Sequence, residues 1–145
     1  MRINAKKTKE MVLSFQKEMP DVAQIQVDGQ PLERVERVTL LGLRISSSLT
    51  WGDHFEHIVK KAQQRLFCLT LFKRSKLLQK DIVKVYCSKI RPVLEYACAV
   101  WHSSLTDEQC QAIEHVQERA MHIIFPNLDY QSSVLSSNIP SLNDR

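Results

Sequence analysis

The sequence has little glycine and no hydrophobic run long enough to cross a bilayer. Only three of its 145 residues are glycine, so Gly42 does not belong to a glycine-rich phosphate loop. The N-terminal stretch MRINAKKTKE lacks the apolar core of a secretion signal. Together these absences predict an intracellular protein, nuclear or cytoplasmic, with no membrane partner.

Paired cysteine motifs and clustered carboxylates are also missing from the sequence. The four cysteines, at positions 68, 87, 98 and 110, form no C-x-x-C pair and lie in apolar, helical-looking segments, which favours reduced thiols. Cys98 and His102 are four residues apart, but no second pair accompanies them as a zinc site would require. The acidic residues are scattered and suggest no two-metal centre. The sequence therefore predicts no catalytic residue and no metal site.

Charge is distributed unevenly along the chain, which carries a formal net charge of +4. Residues 1–19 hold five basic and two acidic residues (+3), residues 51–78 hold six and two (+4), and residues 104–125 hold one and four (−3). A basic stripe with an acidic element elsewhere is typical of a nucleic-acid-binding face. Charge alone favours the simpler alternative of solvated helix surfaces.

Residues 1–50 are predicted to form a β region. The stretch KEMVLSF is a candidate strand, and Asp28-Gly29 between two short arms predicts a hairpin, with Pro31 on an edge. The stretch RVTLLGLRI alternates with period two and predicts one last strand. Gly42 inside it indicates a bulge or a close approach of another backbone or ligand.

Residues 51–126 are predicted to form three helices, which gives an α+β fold: a small antiparallel sheet or hairpin region followed by a three-helix bundle. The first helix covers residues 53–74 and the second residues 80–101, with a kink or break at Pro92. The third begins at Thr106, which forms a capping box with Gln109, and ends at Pro126. The predicted inward-facing residues are Phe55, Ile58, Val59, Ala62, Leu66 and Leu69; Ile82, Tyr86, Ile90, Val93, Ala97 and Trp101; and Ile113, Val116, Ala120 and Ile123. Residues 127–145, which are serine-rich and interrupted by proline, predict an irregular tail.

Four stretches occur in an order that resembles a known family: INAKKTKEMVLSF, IQVDGQPLERVERVTLLGLRISSSLTWGDHFEHIVKKAQQRL, YCSKIRPVLEYACAVW and IEHVQERAMHII. They resemble the C-terminal part of the reverse transcriptase, an RNA-directed DNA polymerase, of non-LTR (LINE-type, Jockey-like) retrotransposons. The resemblance runs from Ile3 to about Arg145. The N-x-x-K-T motif from Asn4 resembles the end of the palm, LLGLRI resembles the primer grip, and the three helices resemble the thumb.

The resemblance implies a set of nucleic-acid-binding residues and a partner, an RNA/DNA template–primer duplex. Thumbs of this family lie along the minor groove and contact mainly phosphates. The residues concerned are Lys6, Lys7, Lys9, Gly42, Arg44, Lys60, Lys61 and Arg65. The resemblance also implies that Lys7 lies near the leaving pyrophosphate. At Gly42 it implies that the backbone approaches sugar and phosphate. The alternative for Gly42 is a bulge that only redirects the chain.

The sequence departs from the family because the palm aspartates that hold two metal ions, Mg²⁺ or Mn²⁺ in the intact enzyme, are missing and are expected upstream of Met1. The fingers are missing as well. The expectation is a truncated polymerase remnant that is not an enzyme alone, needs no cofactor and binds nucleic acid weakly. The alternative is a small helical protein-interaction module with no nucleic-acid role. In either case, exposed apolar surface is expected to allow self-association.

Overall fold

The computed structural model describes residues 3–14, 16 and 20–142, which divide into two compact units at residues 1–54 and 55–145. Short strands dominate the first unit and helices the second, which confirms the predicted α+β class. No helix within these described residues is both long and apolar enough to span a membrane.

The first unit consists of very short strands preceded by a 3₁₀ turn, Ala5–Lys7. The strands are β1 Lys9–Glu10, β2 Gln26–Val27, β3 Gln30–Pro31, β4 Glu33–Arg34, β5 Arg37–Leu40 and β6 Leu43–Ser46. β1 pairs with β4 in parallel, whereas β2–β3 and β5–β6 are antiparallel. The strand predicted over KEMVLSF is therefore wrong beyond its first two residues: residues 11–14 are irregular, and Phe15 lies outside the described residues.

The Asp28-Gly29 hairpin is confirmed. Both turn residues have positive φ, 50° and 76°, and Gln26 lies opposite Pro31 in the resulting β2–β3 pair. Two successive positive φ angles match the right-handed twist of the flanking strands, which is why Asp-Gly favours this turn.

The single strand predicted over residues 37–45 is wrong, because the chain reverses in its middle. Leu41 (φ 49°) and Gly42 (φ 84°) form a two-residue turn, and β5 pairs with β6 from Arg37↔Ser46 to Leu40↔Leu43. Gly42 is thus neither a bulge nor a residue within a strand. The leucine concealed the turn, because asparagine or aspartate normally occupies the first position of such a pair.

Glu10 organises the first unit. One carboxylate oxygen accepts a hydrogen bond from Arg34 Nε (2.6 Å) and the other from the Ile25 amide (2.7 Å). Arg34 also donates to the Val22 carbonyl at 2.8 Å. One buried side chain therefore connects β1, β4 and the segment that precedes β2.

The described residues of the second unit form six helices, the first of which begins within the first unit. They are α1 Gly52–Arg74, α2 Gln79–Val85, α3 Arg91–Glu95, α4 Cys98–Trp101, α5 Asp107–Ile124 and α6 Tyr130–Ser137. A five-residue π-helical segment at Tyr86–Ile90, called the π-turn below, connects α2 to α3. A 3₁₀ turn at His102–Ser104 follows α4. The irregular tail predicted after residue 126 is wrong where α6 forms.

The kink predicted at Pro92 is found as the π-turn just before it, whereas the break in the predicted second helix lies at Ala97, five residues after the proline. Pro92 lacks the N–H that a continuous helix needs, and the π-turn immediately precedes it. A left-handed residue, Ala97 (φ 51°), then separates α3 from α4. The capping box at Thr106 and Gln109 is also confirmed.

The core of the second unit follows most of the predicted stripes. The buried residues that were predicted are Ile58, Ala62, Leu66, Leu69, Ile82, Tyr86, Ile90, Trp101, Ile113, Val116 and Ala120. The predictions for Val93 and Ile123 are displaced by one residue, because Leu94 and Ile124 are the buried ones. Phe55, Val59 and Ala97 are only half-buried.

A fully buried amide, Gln117, lies among these apolar residues. Its Oε1 accepts hydrogen bonds from the Tyr86 hydroxyl (2.8 Å) and from Arg91 Nη1 (3.4 Å). Its Nε2 donates to the Tyr130 hydroxyl (3.0 Å) and to the Pro140 carbonyl (3.1 Å). All four hydrogen-bonding positions of the amide are filled. Burial raises the pKa of Tyr86, which keeps its hydroxyl neutral.

Replacing Leu41 by Asn is expected to stabilise the β5–β6 hairpin. A non-glycine residue with positive φ costs roughly 1–2 kcal/mol, and Asn-Gly is the preferred dipeptide for this turn. We expect slower hydrogen exchange of the β5–β6 amides, by about fivefold for a gain of about 1 kcal/mol. The control is Leu40→Asn, which alters an exposed strand position beside the turn. Equal or lower protection in Leu41→Asn would contradict this turn.

Glu10→Gln is expected to destabilise the first unit at neutral pH and much less in acid. The Ile25 amide and then Arg34 lower the pKa of Glu10 below its ordinary value, although desolvation opposes them. Its stabilising contribution is therefore complete above the unfolded-state pKa and is lost as the pH falls through the lower folded-state pKa. Amide exchange at Ile25, measured against pH in both chains, tests this. Glu33→Gln, which removes only an exposed pair with Lys9, serves as control. A difference between parent and Glu10→Gln that does not narrow toward low pH would refute the prediction.

Candidate nucleic-acid interface

The eight residues predicted to bind nucleic acid divide between the two units. Lys6, Lys7, Lys9, Gly42 and Arg44 belong to the first unit, and Lys60, Lys61 and Arg65 belong to the second. The predicted interface therefore consists of two separate sets of residues, one on each unit.

Two of the N-terminal lysines project from a short, well-capped turn. The Asn4 side chain accepts the Lys6 amide at 3.0 Å, and the Asn4 carbonyl accepts the amides of Lys7 (3.0 Å) and Thr8 (3.1 Å). Lys6 and Lys7 are exposed, so the turn presents two ammonium groups to solvent. Lys9 differs because it forms an ion pair with Glu33 at 3.2 Å.

Gly42 and Arg44 lie at the end of the β5–β6 hairpin. Arg44 is exposed opposite Thr39, and its amide donates to His54 Nδ1 at 3.3 Å. The turn also exposes Leu41, which is 82% accessible, and much of Leu40. The hairpin end therefore offers apolar side chains and one guanidinium group together with the backbone at Gly42.

On α1 the three predicted cations have different environments. Lys60 and Lys61 are exposed, on the side away from the buried stripe. Arg65 is half-buried and donates to the Lys89 carbonyl in the π-turn. Among the described residues, Lys60 and Lys61 have no hydrogen bond that a ligand would have to break, whereas Arg65 holds α1 against the π-turn.

The prediction missed two apolar residues on the same outer face. Phe67 and Leu71 are 62% and 43% exposed. They follow Lys60 by seven and eleven residues, which at about 100° per residue places both within roughly 20° of it around the helix. A helical projection of residues 60–71 would have shown them, because they fall opposite Ala62, Leu66 and Leu69.

Many carboxylates of the described residues are paired with lysine or arginine. The pairs are Glu10 with Arg34, Glu33 with Lys9, Asp53 with Arg37, Asp81 with Lys84 and Glu95 with Arg91. Glu118 lies 2.8 Å from His115 Nδ1. Within the part of the chain that the structure describes, no three His, Cys, Asp or Glu residues converge as metal ligands would.

Comparison with known proteins shows a similarity to a transposon protein. The chain is 24% identical over 126 residues to a Drosophila melanogaster protein named "Probable RNA-directed DNA polymerase from transposon BS". The match covers 86% of this chain and 14% of that protein. No protein-family model and no solved structure matches the chain. The similarity supports a region related to reverse transcriptases.

Proposed function

We propose that this chain corresponds to the palm edge, primer grip and thumb of a non-LTR (LINE-type, Jockey-like) reverse transcriptase, and that it binds a template–primer duplex weakly and without reading sequence. The observation that carries the proposal is the pair of exposed lysines, Lys60 and Lys61, on the outer face of α1. This helix belongs to a chain that is similar to part of a transposon RNA-directed DNA polymerase.

The outer face of α1 has the geometry of a phosphate-binding surface. A helix of 23 residues is about 35 Å long, and its opposite side is fixed in the core by Ile58, Ala62, Leu66 and Leu69. Flexible lysines on such a rod can follow backbone phosphates, which positions a duplex without distinguishing bases. Binding of this kind releases counterions and weakens steeply with salt.

The first unit contributes two further candidate contacts. The exposed ammonium groups of Lys6 and Lys7 suit phosphate oxygens. The β5–β6 turn would bring the backbone at Gly42 toward the 3′ end of the growing strand, beside the Arg44 guanidinium. Lys9 and Arg65 are weaker candidates, because each already has a partner within its own unit.

A second candidate function, a protein-interaction module, is favoured by Phe67 and Leu71. These exposed side chains lie between Lys60 and Arg74 on one face of α1. Phosphate binding does not require an aromatic and a leucine at the centre of the face, whereas a protein partner would bury them, and self-association would do the same. Duplex-binding measurements separate the two functions.

We further propose that this stretch supplies no catalytic carboxylates for phosphoryl transfer. The chemistry requires carboxylates that converge on two metal ions. The ion pairs of Glu10, Asp53 and Glu95 instead commit carboxylates singly to cations.

The double substitution Lys60→Gln, Lys61→Gln is expected to weaken duplex binding and reduce its salt dependence. Each phosphate that is no longer neutralised should lower the slope of log K against log salt by about 0.9 on B-DNA, so the slope of the double variant should fall by up to about 1.8. Fluorescence anisotropy with a labelled duplex, titrated at several salt concentrations, measures both quantities. Lys6→Gln with Lys7→Gln tests the first unit in the same way.

The matched control is Lys76→Gln with Lys80→Gln, which removes two exposed charges from the same unit but not from the outer face of α1. An equal decrease in affinity in both double variants would attribute binding to net charge alone. Unchanged duplex binding at low salt in Lys60→Gln, Lys61→Gln would overturn the thumb assignment. In that case, weaker association of Phe67→Ser with protein would favour the interaction module.

Purified chain is expected to extend no primer. Template–primer, deoxynucleotides and either Mg²⁺ or Mn²⁺ would be incubated with it, and products compared with a no-protein control. Extension above that control, abolished by heat inactivation of the protein, would refute the proposal that this stretch lacks catalytic carboxylates.

A further inference from the structure

Residues 139–142, Ile-Pro-Ser-Leu, contact the helical unit as an irregular segment that follows α6. Ile139 and Leu142 are 5% and 1% exposed, whereas Pro140 between them is exposed. Two apolar side chains are therefore buried, while the intervening residues stay nearer the surface.

Side chains of the helices bind the backbone of this segment directly. The Pro140 carbonyl accepts hydrogen bonds from Arg91 Nη1 (2.8 Å) and Gln117 Nε2 (3.1 Å). The Leu142 amide donates to Glu114 Oε2 at 2.9 Å. One carbonyl and one amide are thus recognised as backbone groups.

The three recognising side chains are oriented by partners outside the segment. Arg91 Nε is paired with Glu95 Oε1 at 2.7 Å, and Gln117 Oε1 accepts the Tyr86 hydroxyl at 2.8 Å. Glu114 accepts the Tyr130 hydroxyl through its other oxygen. These contacts orient the three side chains toward the segment, and such preorganisation favours affinity.

The sequence of the segment suits this kind of recognition. Proline restricts the residue before it to extended geometry and has no N–H to satisfy. In a polyproline-type conformation, with three residues per turn, residues 139 and 142 point the same way and the backbone makes no internal hydrogen bonds. Its carbonyl and amide groups are then available to a receptor.

We propose that the second unit carries a binding site for an extended Ile-Pro-x-Leu peptide from a protein partner, and that residues 139–142 occupy this site as an intramolecular ligand. Pockets for the first and last side chains give specificity, and Arg91, Gln117 and Glu114 hold the backbone. A ligand tethered by a short connection has an effective concentration of order millimolar, so only tight or locally concentrated partners displace it.

This inference is independent of nucleic-acid binding, because it uses α3 and α5 and none of the predicted cations. A fluorescent peptide of sequence SNIPSLNDR, corresponding to residues 137–145, is the probe. The full chain carrying Ile139→Ser and Leu142→Ser, whose own segment is weakened, should bind the probe at least about tenfold more tightly than the parent chain. A peptide with the same two serines should not bind.

The receptor side is tested in the weakened chain. Arg91→Gln removes one donor to the Pro140 carbonyl and should lower probe affinity about fivefold or more. Arg119→Gln, an exposed charge on α5, is the matched control and should change affinity little. Probe binding that weakens in Arg91→Gln but not in Arg119→Gln supports the proposed site. Equal effects of the two substitutions would count against the site.

Circular dichroism must show that the weakened chain keeps its helices. If it does and it binds parent and serine peptides equally, the proposal is overturned. If it unfolds, the parent chain gives the answer by NMR: excess probe should accelerate hydrogen exchange of the Leu142 amide as the internal segment is displaced, and the serine peptide should not. Unchanged exchange at millimolar probe would overturn the proposal.

Discussion

The buried amide of Gln117 is the interaction on which the helical unit depends. Apolar neighbours such as Val116 and Ala120 tolerate small sliding movements of α5, because dispersion and the hydrophobic effect have little directionality. A fully buried amide does not, since each unsatisfied donor or acceptor costs about 1–3 kcal/mol. Its four bonds come from the π-turn, α3, α6 and the Pro140 carbonyl, so one side chain fixes the positions of four parts of the chain relative to α5.

The spacing of its buried residues accounts for the irregular second helix. Ile82, Tyr86, Ile90 and Leu94 are all buried at a strict spacing of four residues, which an ideal α-helix of 3.6 residues per turn cannot keep on one face. The π-turn closes i→i+5 bonds and so contains an extra residue. That residue delays the buried face by one position, so that Leu94 replaces the predicted Val93 in the core.

Sequence patterns predicted features that depend on local chemistry and failed where tertiary contacts decide. The long helices, the capping box at Thr106 and the Asp28-Gly29 hairpin each have a local cause. The turn at Leu41-Gly42 was hidden by a leucine in an unusual conformation, and α6 by its serines, although the Tyr130 hydroxyl connects α6 to Gln117 of α5. Periodicity placed Lys60 and Lys61 on the outer face correctly. It could not show that Arg65 is occupied by the π-turn, because that partner is 24 residues away.

Polar burial also couples the stability of the helical unit to occupation of the 139–142 site. Gln117 and Arg91 must have an acceptor where the Pro140 carbonyl lies, and Glu114 must have a donor where the Leu142 amide lies. Burying these polar groups without hydrogen bonds destabilises the folded unit. Removal of the segment therefore favours binding of another peptide backbone that supplies the same groups. A partner peptide that supplies the same carbonyl, amide and two apolar side chains restores every bond, and its stabilisation of the folded unit grows with its concentration relative to its dissociation constant. The hydrogen bonds of Gln117, Arg91 and Glu114 that fix the packing of the helices therefore also define which peptide can bind at the 139–142 site.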